Sequence, residues 1–224
     1  MEQEIIELLE KKSAIKQAVY RKTQAVFSDL QEMLEEKSKR ISAMKSLKEK
    51  GVEVEYSSKG KFEAQIKFSG DTLLFHMHSN IFDFPSVHPL YKTKYVKEDK
   101  SRAFCGVINV YNFLSDSLKY NRMNDSGFLI GRIFINKDNH FFVEGEEQLG
   151  FLYKDFVNQQ IEKSYIDQIV NVLMIYALEF DLQTPNFKDV REVSVYQVLD
   201  MSNNQKLKTA KRLGYKFSFE TNNE

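Results

Sequence analysis

The chain has no tryptophan, a single cysteine and three prolines among its 224 residues. One cysteine excludes an intrachain disulfide, so stability has to come from a packed core. Neither sign of charge is in excess, with 32 Lys and Arg against 32 Asp and Glu. That balance gives no global pull toward nucleic acid or an anionic membrane. A membrane-crossing helix needs about 20 mainly apolar residues. The most apolar stretch, residues 164–180, is interrupted by Asp167, Gln168, Asn171 and Glu179. The opening Met-Glu-Gln-Glu-Ile-Ile-Glu lacks the basic and then apolar pattern of a secretion signal. The expectation is a soluble cytoplasmic protein without a membrane partner. No Gly-rich phosphate loop, no G-x-G-x-x-G after a strand and no H-E-x-x-H occurs, so catalysis has no motif behind it.

Large aromatic side chains are plentiful, 18 Phe and 11 Tyr, and they can fill a sizeable core. Residues 3–49 contain no Gly and no Pro and carry apolar residues at spacings of three and four: Leu8, Ile15, Val19, Val26, Leu30, Met33, Ile41, Met44 and Leu47. The pattern predicts one long amphipathic helix, with a break near Glu36–Arg40 and an end at Gly51. Lys12, Lys22 and Lys37 stand where an apolar residue would be expected. Strict heptads are missing, which favours a helix lying across its own domain over a coiled-coil arm. Self-association through this helix is the competing reading.

From Gly51 to about Gly145 the apolar period falls to two, the signature of strands. Strands are expected around 52–56, 62–68, 72–78 and 91–97. Phe104–Leu114 and Phe128–Asn136 are apolar on both faces and should be central, and Asn136–Asn139 should turn the chain into a strand at 140–144. Residues 115–126 read as a loop or short strand. Gln159–Phe180 reads as a buried helix with Ile166, Ile169, Val170, Leu173, Ala177 and Phe180 on one face. Met174, Ile175 and Leu178 on the other face predict that its second half is enclosed. Residues 191–199 read as a strand in competition with a helix, followed by a basic helix at 204–213 and a last strand at 215–219.

The fold class that follows is α+β. An antiparallel meander of about six to eight strands packs on or curves around the helix at 159–180, with the long helix at 3–49 as the other layer. The chain is read as a single domain, 1–224, made of 1–50 (long helix), 51–145 (sheet), 158–181 (buried helix) and 190–220 (strand, helix, strand).

His76 and His78 project from one strand face about 7 Å apart, and His88 follows ten residues later. The only cofactor this suggests is a divalent transition metal held by His76 and His78, with His88, Asp83 or Cys105 as the third ligand. The bland reading is the polar face of a strand. A cavity between sheet and helix would be lined by Tyr111, Phe113, Phe134, Tyr165 and Tyr176, with Asn109 and Arg132 as polar contacts. Asn109, Tyr111, Arg132 and Tyr165 are the ligand-binding candidates.

Asp116, Asp125, Glu144, Glu146 and Glu147 gather near strand ends, where acids usually serve solvation. Cys105 lies in an apolar strand and reads as an inert buried thiol. Lys206, Lys208, Lys211 and Arg212, followed by Tyr215, Phe217 and Phe219, form a local basic and aromatic patch. With balanced overall charge, nucleic acid is not the expected partner. The function read from these residues is a binding or interaction protein, its partner another protein or a second copy of itself. The alternative is a small-molecule-binding or metal-dependent enzyme.

Overall fold

The computed structural model describes residues 1–123, 125–145, 149, 154–181, 184 and 186–204. Six strands form one antiparallel sheet in the order of the chain: β1 (Val54–Lys59), β2 (Glu63–Phe68), β3 (Asp71–Met77), β4 (Cys105–Leu114), β5 (Phe128–Asn136) and β6 (Phe141–Gly145). Short turns at most junctions leave neighbours in sequence as neighbours in space. The sheet is open, with β1 and β6 at its edges. The fold is α+β, as the change of apolar period predicts.

The long helix begins as α1 (Glu2–Leu8), passes through a π-helical stretch (Leu9–Ser13) and continues as α2 (Ala14–Ser42). It breaks at Met44, whose ψ of 116° is extended, a few residues beyond the expected point. A last turn, α3 (Lys45–Glu49), ends before Gly51, whose φ of +68° is the left-handed conformation glycine tolerates. The buried stripe of α2 is Val19, Thr23, Val26, Phe27, Leu30, Leu34, Lys37 and Ser38. Spacings of three and four put these residues on one face, and α2 lays that face across β1 to β5. Phe27 and Leu34 belong to the seam, whereas Leu8 and Met44 are exposed. The helix comes close to the sheet backbone at Gly106 of β4. A Cβ there would lie 2.0 Å from Thr23 Oγ1, so only glycine admits the helix at this distance.

The second helix over this face is α6 (Lys163–Leu178), after a turn, α4 (Lys94–Glu98), and another, α5 (Ser115–Lys119). Residues 159–162 are not helical, and Gln160 bridges to His140 instead. α6 buries Ile166, Ile169, Val170, Leu173, Met174 and Ala177 against the sheet and α2. Its second half is not enclosed: Ile175 and Leu178 are 54% and 57% exposed. The expectation fails because, among the described residues, α6 packs on the sheet and α2 along one side only.

Between the two helices lies a buried charge. Lys37 is 3% exposed, and its ammonium reaches Asp167 Oδ1 at 2.6 Å and Asn171 Oδ1 at 2.7 Å. The lysine that interrupts the apolar seam therefore joins α2 to α6, where Asp167 and Asn171 break the apolar run. Lys37 holds the Asp167 carboxyl below its ordinary range, chiefly through this hydrogen bond.

Two other local expectations are corrected. Residues 91–97 are not a strand. Pro89–Lys92 forms a 3-10 turn and α4 follows, because His88 Nδ1 accepts the Leu90 N–H and Thr93 Oγ1 accepts the Val96 N–H. For residues 191–199, where strand and helix compete, the helix is what forms, from Val195 onward. After α7 (Phe187–Val190), helix α8 (Val195–Asn204) starts at a reciprocal cap, in which Ser194 Oγ accepts the Gln197 N–H and Gln197 Oε1 accepts the Ser194 N–H. The basic helix expected at 204–213 and the strand at 215–219, with Lys206, Lys208, Lys211, Arg212 and Tyr215, lie outside the described residues.

Candidate functional site

The face of the sheet away from α2 and α6 is built differently along its length. Over β4 to β6 it is covered by the strap between β3 and β4. Leu90, Val96, Ala103, Cys105, Val107, Phe134, Phe142 and Phe156 form a second core there, flanked by Phe84, Tyr91 and Tyr95. Asn136, fully buried, anchors this strap. Its Nδ2 donates to the Tyr95 hydroxyl and the Arg102 carbonyl, and its Oδ1 accepts the N–H groups of Asp138 and His140. The asparagine read as a turn residue thus also ties the turn to the strap. Burial pushes the Tyr95 hydroxyl up to about 12, helped by its bond to Asp138.

Beside the strap a polar row crosses the sheet. Glu63, His76, Asn109, Arg132 and Glu144 are successive cross-strand partners on β2 to β6. Their strand neighbours Ala64, Phe75, Ile108, Ile133 and Val143 fill the helix-side core, so alternation turns the row to the outer face. Arg132 pairs with Glu144, and its guanidinium lies 5.4 Å from the Phe134 ring centre.

Where row and strap meet there is a groove of about 400 Å³, lined among others by His78, Asp83, His88, Asn109, Arg132 and Glu144. Phe134 and Val107 also line it. The Phe84 ring stacks on His88 at 4.6 Å, and His78 meets Phe82 edge-on at 4.7 Å. His78 Nδ1 accepts the Asn80 N–H at 3.0 Å and His88 Nδ1 accepts the Leu90 N–H at 3.3 Å. With Nδ1 an acceptor, each neutral imidazole carries its proton on Nε2 and offers a donor. The acids are already engaged: Asp83 accepts the Tyr91 hydroxyl, and Glu144 accepts Arg132. Burial, with Asp83 beside it, pushes the Tyr91 hydroxyl up to about 12. A neighbouring hollow of about 650 Å³ continues past His88 and Glu144 to Phe142, Lys154 and Phe156.

The structure therefore brings His78, His88, Asn109 and Arg132 to one groove and places His76 beside Asn109 in the row. Tyr111 is on the outer face, its ring 6.5 Å from that of Phe113. Tyr165 is on the other side of the sheet, against Phe141. Asn109, Tyr111, Arg132 and Tyr165 thus do not line one sheet–helix cavity, and the space between sheet and helices is filled by the main core. For the metal expectation, no three His, Cys, Asp or Glu side chains among the described residues are placed to hold an ion. β3 ends at Met77, so His78 turns away with the strap toward Phe82 while His76 stays in the sheet.

Cys105 is fully buried, and burial raises its thiol far above the ordinary range, which makes it a poor nucleophile. Asp116 is exposed, Asp125 accepts Ser117 Oγ and faces Arg122, and Glu146 and Glu147 lie outside the described residues. A further hollow of about 950 Å³ lies toward β1 and α5. Several of its charges pair, Lys67 with Glu53 and Glu55, and Arg122 with Asp125.

Comparison with protein-family models, with curated proteins and with solved structures gives no match.

Proposed function

We propose that the chain is a binding domain that holds a small planar molecule, rich in hydrogen-bond acceptors, in the outer-face groove. The observation that carries this reading is the convergence of His78, His88, Asn109 and Arg132, from the strap, β4 and β5, on one concave surface. Pockets that bind small molecules combine an apolar lining with a few placed polar groups. Here the Phe84 and Phe134 rings offer flat apolar faces, Val107 adds aliphatic contact, and the imidazole Nε2–H groups, Asn109 and Arg132 offer donors. Because Asp83 and Glu144 are engaged, the groove favours acceptors, and an aromatic carboxylate is the simplest ligand of that kind.

The test is a panel of aromatic carboxylates and uncharged aromatics followed by amide NMR on the intact chain. Saturable shifts centred on His78, His88 and Arg132, weakened roughly tenfold by Arg132→Ala, are expected. The reading is sunk by carboxylates that shift nothing, or by shifts that persist unchanged in both Arg132→Ala and His88→Ala.

A further inference from the structure

Every residue from Met1 to Ala14 is exposed, although Ile5, Ile6, Leu8 and Leu9 are large and apolar. The arm is helical throughout and spans about 20 Å at 1.5 Å per residue. Residues Ile5, Leu8 and Leu9 share one side at spacings of three and four. The π-helical stretch at Leu9–Ser13 is wider than an ordinary turn and rotates this stripe relative to the buried face of α2.

Charge along the arm is sorted. Glu2, Glu4, Glu7 and Glu10 are the only charged side chains from residue 2 to 10, and Lys11, Lys12, Lys16, Arg21 and Lys22 the only ones from 11 to 22. The helix dipole accounts for acids in the first turn, and Glu7 makes an exposed pair with Lys11 four residues on. Neither explains an apolar stripe left in water within this sorted charge.

We propose that the arm pairs with the same arm of a second copy, antiparallel, about a two-fold axis near Leu8 and Leu9. A two-fold contact sets a surface against itself, so residue i meets residue j and j meets i. Antiparallel pairing brings Glu4 of each copy toward Lys12 of the other and covers Ile5, Leu8 and Leu9, while Glu7 and Lys11 pair within each arm on the side away from the stripe. Parallel pairing would set glutamates against glutamates and lysines against lysines. The pairing is independent of the outer-face groove, and either can fail alone.

Light scattering over a concentration series on the intact chain tests the pairing. The unaltered chain should dimerise, and Glu4→Lys/Glu7→Lys should dimerise roughly tenfold more weakly. An equimolar mixture of that variant with Lys11→Glu/Lys12→Glu should regain association. Orientation is read by disulfide trapping, since Cys105 is buried: Glu4→Cys mixed with Lys12→Cys should cross-link, and Glu4→Cys alone should not. All four altered positions are exposed, so folding is preserved. A chain that stays monomeric, a Glu4→Lys/Glu7→Lys variant that associates like the unaltered chain, or efficient cross-linking of Glu4→Cys with itself overturns the proposal.

Discussion

The two faces of the sheet solve the same problem with opposite means. The helix side is a continuous apolar layer in which α2 and α6 seal the sheet, and a buried cation there, Lys37, is answered by Asp167 and Asn171. The outer side is covered over β4 to β6 by a strap that contains little regular structure and is fixed by the Asn136 network. Apolar burial is non-directional, so it yields a thick layer wherever helices supply matching faces. Hydrogen-bond networks are directional and can hold an irregular segment only where every group has a partner. The groove lies where that strap ends and the polar row begins. Stability should therefore depend mostly on the helix side, and ligand contact on the outer side.

Substitutions can break this division, and the largest effect is expected at Gly106, where α2 crowds β4 on the helix side. Gly106→Val should destabilise by roughly 3 kcal/mol or more, since even a Cβ overlaps Thr23. Urea unfolding midpoints would show it, with partial recovery in the double variant Gly106→Ala/Thr23→Ala relative to Gly106→Ala. On the outer side, Asn136→Ala removes the partners of four groups and should cost roughly 2–3 kcal/mol. Hydrogen exchange should rise at the strap before it rises at α2, and uniform loss across both would contradict the separation of the two faces.

The helix-side ion pair comes next. Asp167→Ala strands Lys37 and should destabilise by roughly 1–2 kcal/mol, less than a fully buried pair because Asp167 is 42% exposed. Lys37→Met/Asp167→Ala should recover most of that loss in thermal unfolding; equal loss in both variants would show that the charge itself stabilises the helix pair. Asn112 is fully buried with neither side-chain amide atom bonded among the described residues, so Asn112→Val should raise stability by about 1 kcal/mol. A lowered unfolding midpoint would point to a partner that the amide needs.

The smallest effect is a pH dependence on the outer side. Lys137 and Ser101 bond Asp99 and lower its carboxyl from 3.8 to about 2. A lowered folded-state value means that the contribution is present above the unfolded value of 3.8 and is lost as pH falls toward about 2. In acid titrations, Asp99→Asn should converge with the unaltered chain at the acid end of that window and be less stable above it. A constant difference across the window would remove Asp99 as the cause.

Much of the fold is legible because period-two and period-3.6 patterns are local. The α+β class, the order of the meander and the turn at Asn136–Asn139 follow from alternation and turn chemistry. Tyr91–Lys97 reads as extended, and residues 191–199 leave strand and helix in competition, because β-branched and aromatic residues there weigh against capping side chains, Thr93 and Ser194, whose effect depends on hydrogen bonds formed in place. His78, His88, Asn109 and Arg132 can be selected by residue type, but Asp83 and Glu144 enter the groove only through strand register and the path of the strap.

The sequence by itself determines that an antiparallel sheet packs on amphipathic helices, because side-chain periodicity dictates which faces must be buried. It also determines that the arm at 1–14 is charge-sorted. Tertiary structure alone decides that α2 rather than α6 is the element spanning the sheet. It also decides that Lys37 is a buried clasp and that the candidate groove is on the outer face. Each of these depends on contacts between residues far apart in the chain, such as Lys37 with Asp167 and Asn109 with Arg132 and His76. No local pattern encodes such contacts, because they exist only once the strands have paired and the helices have docked.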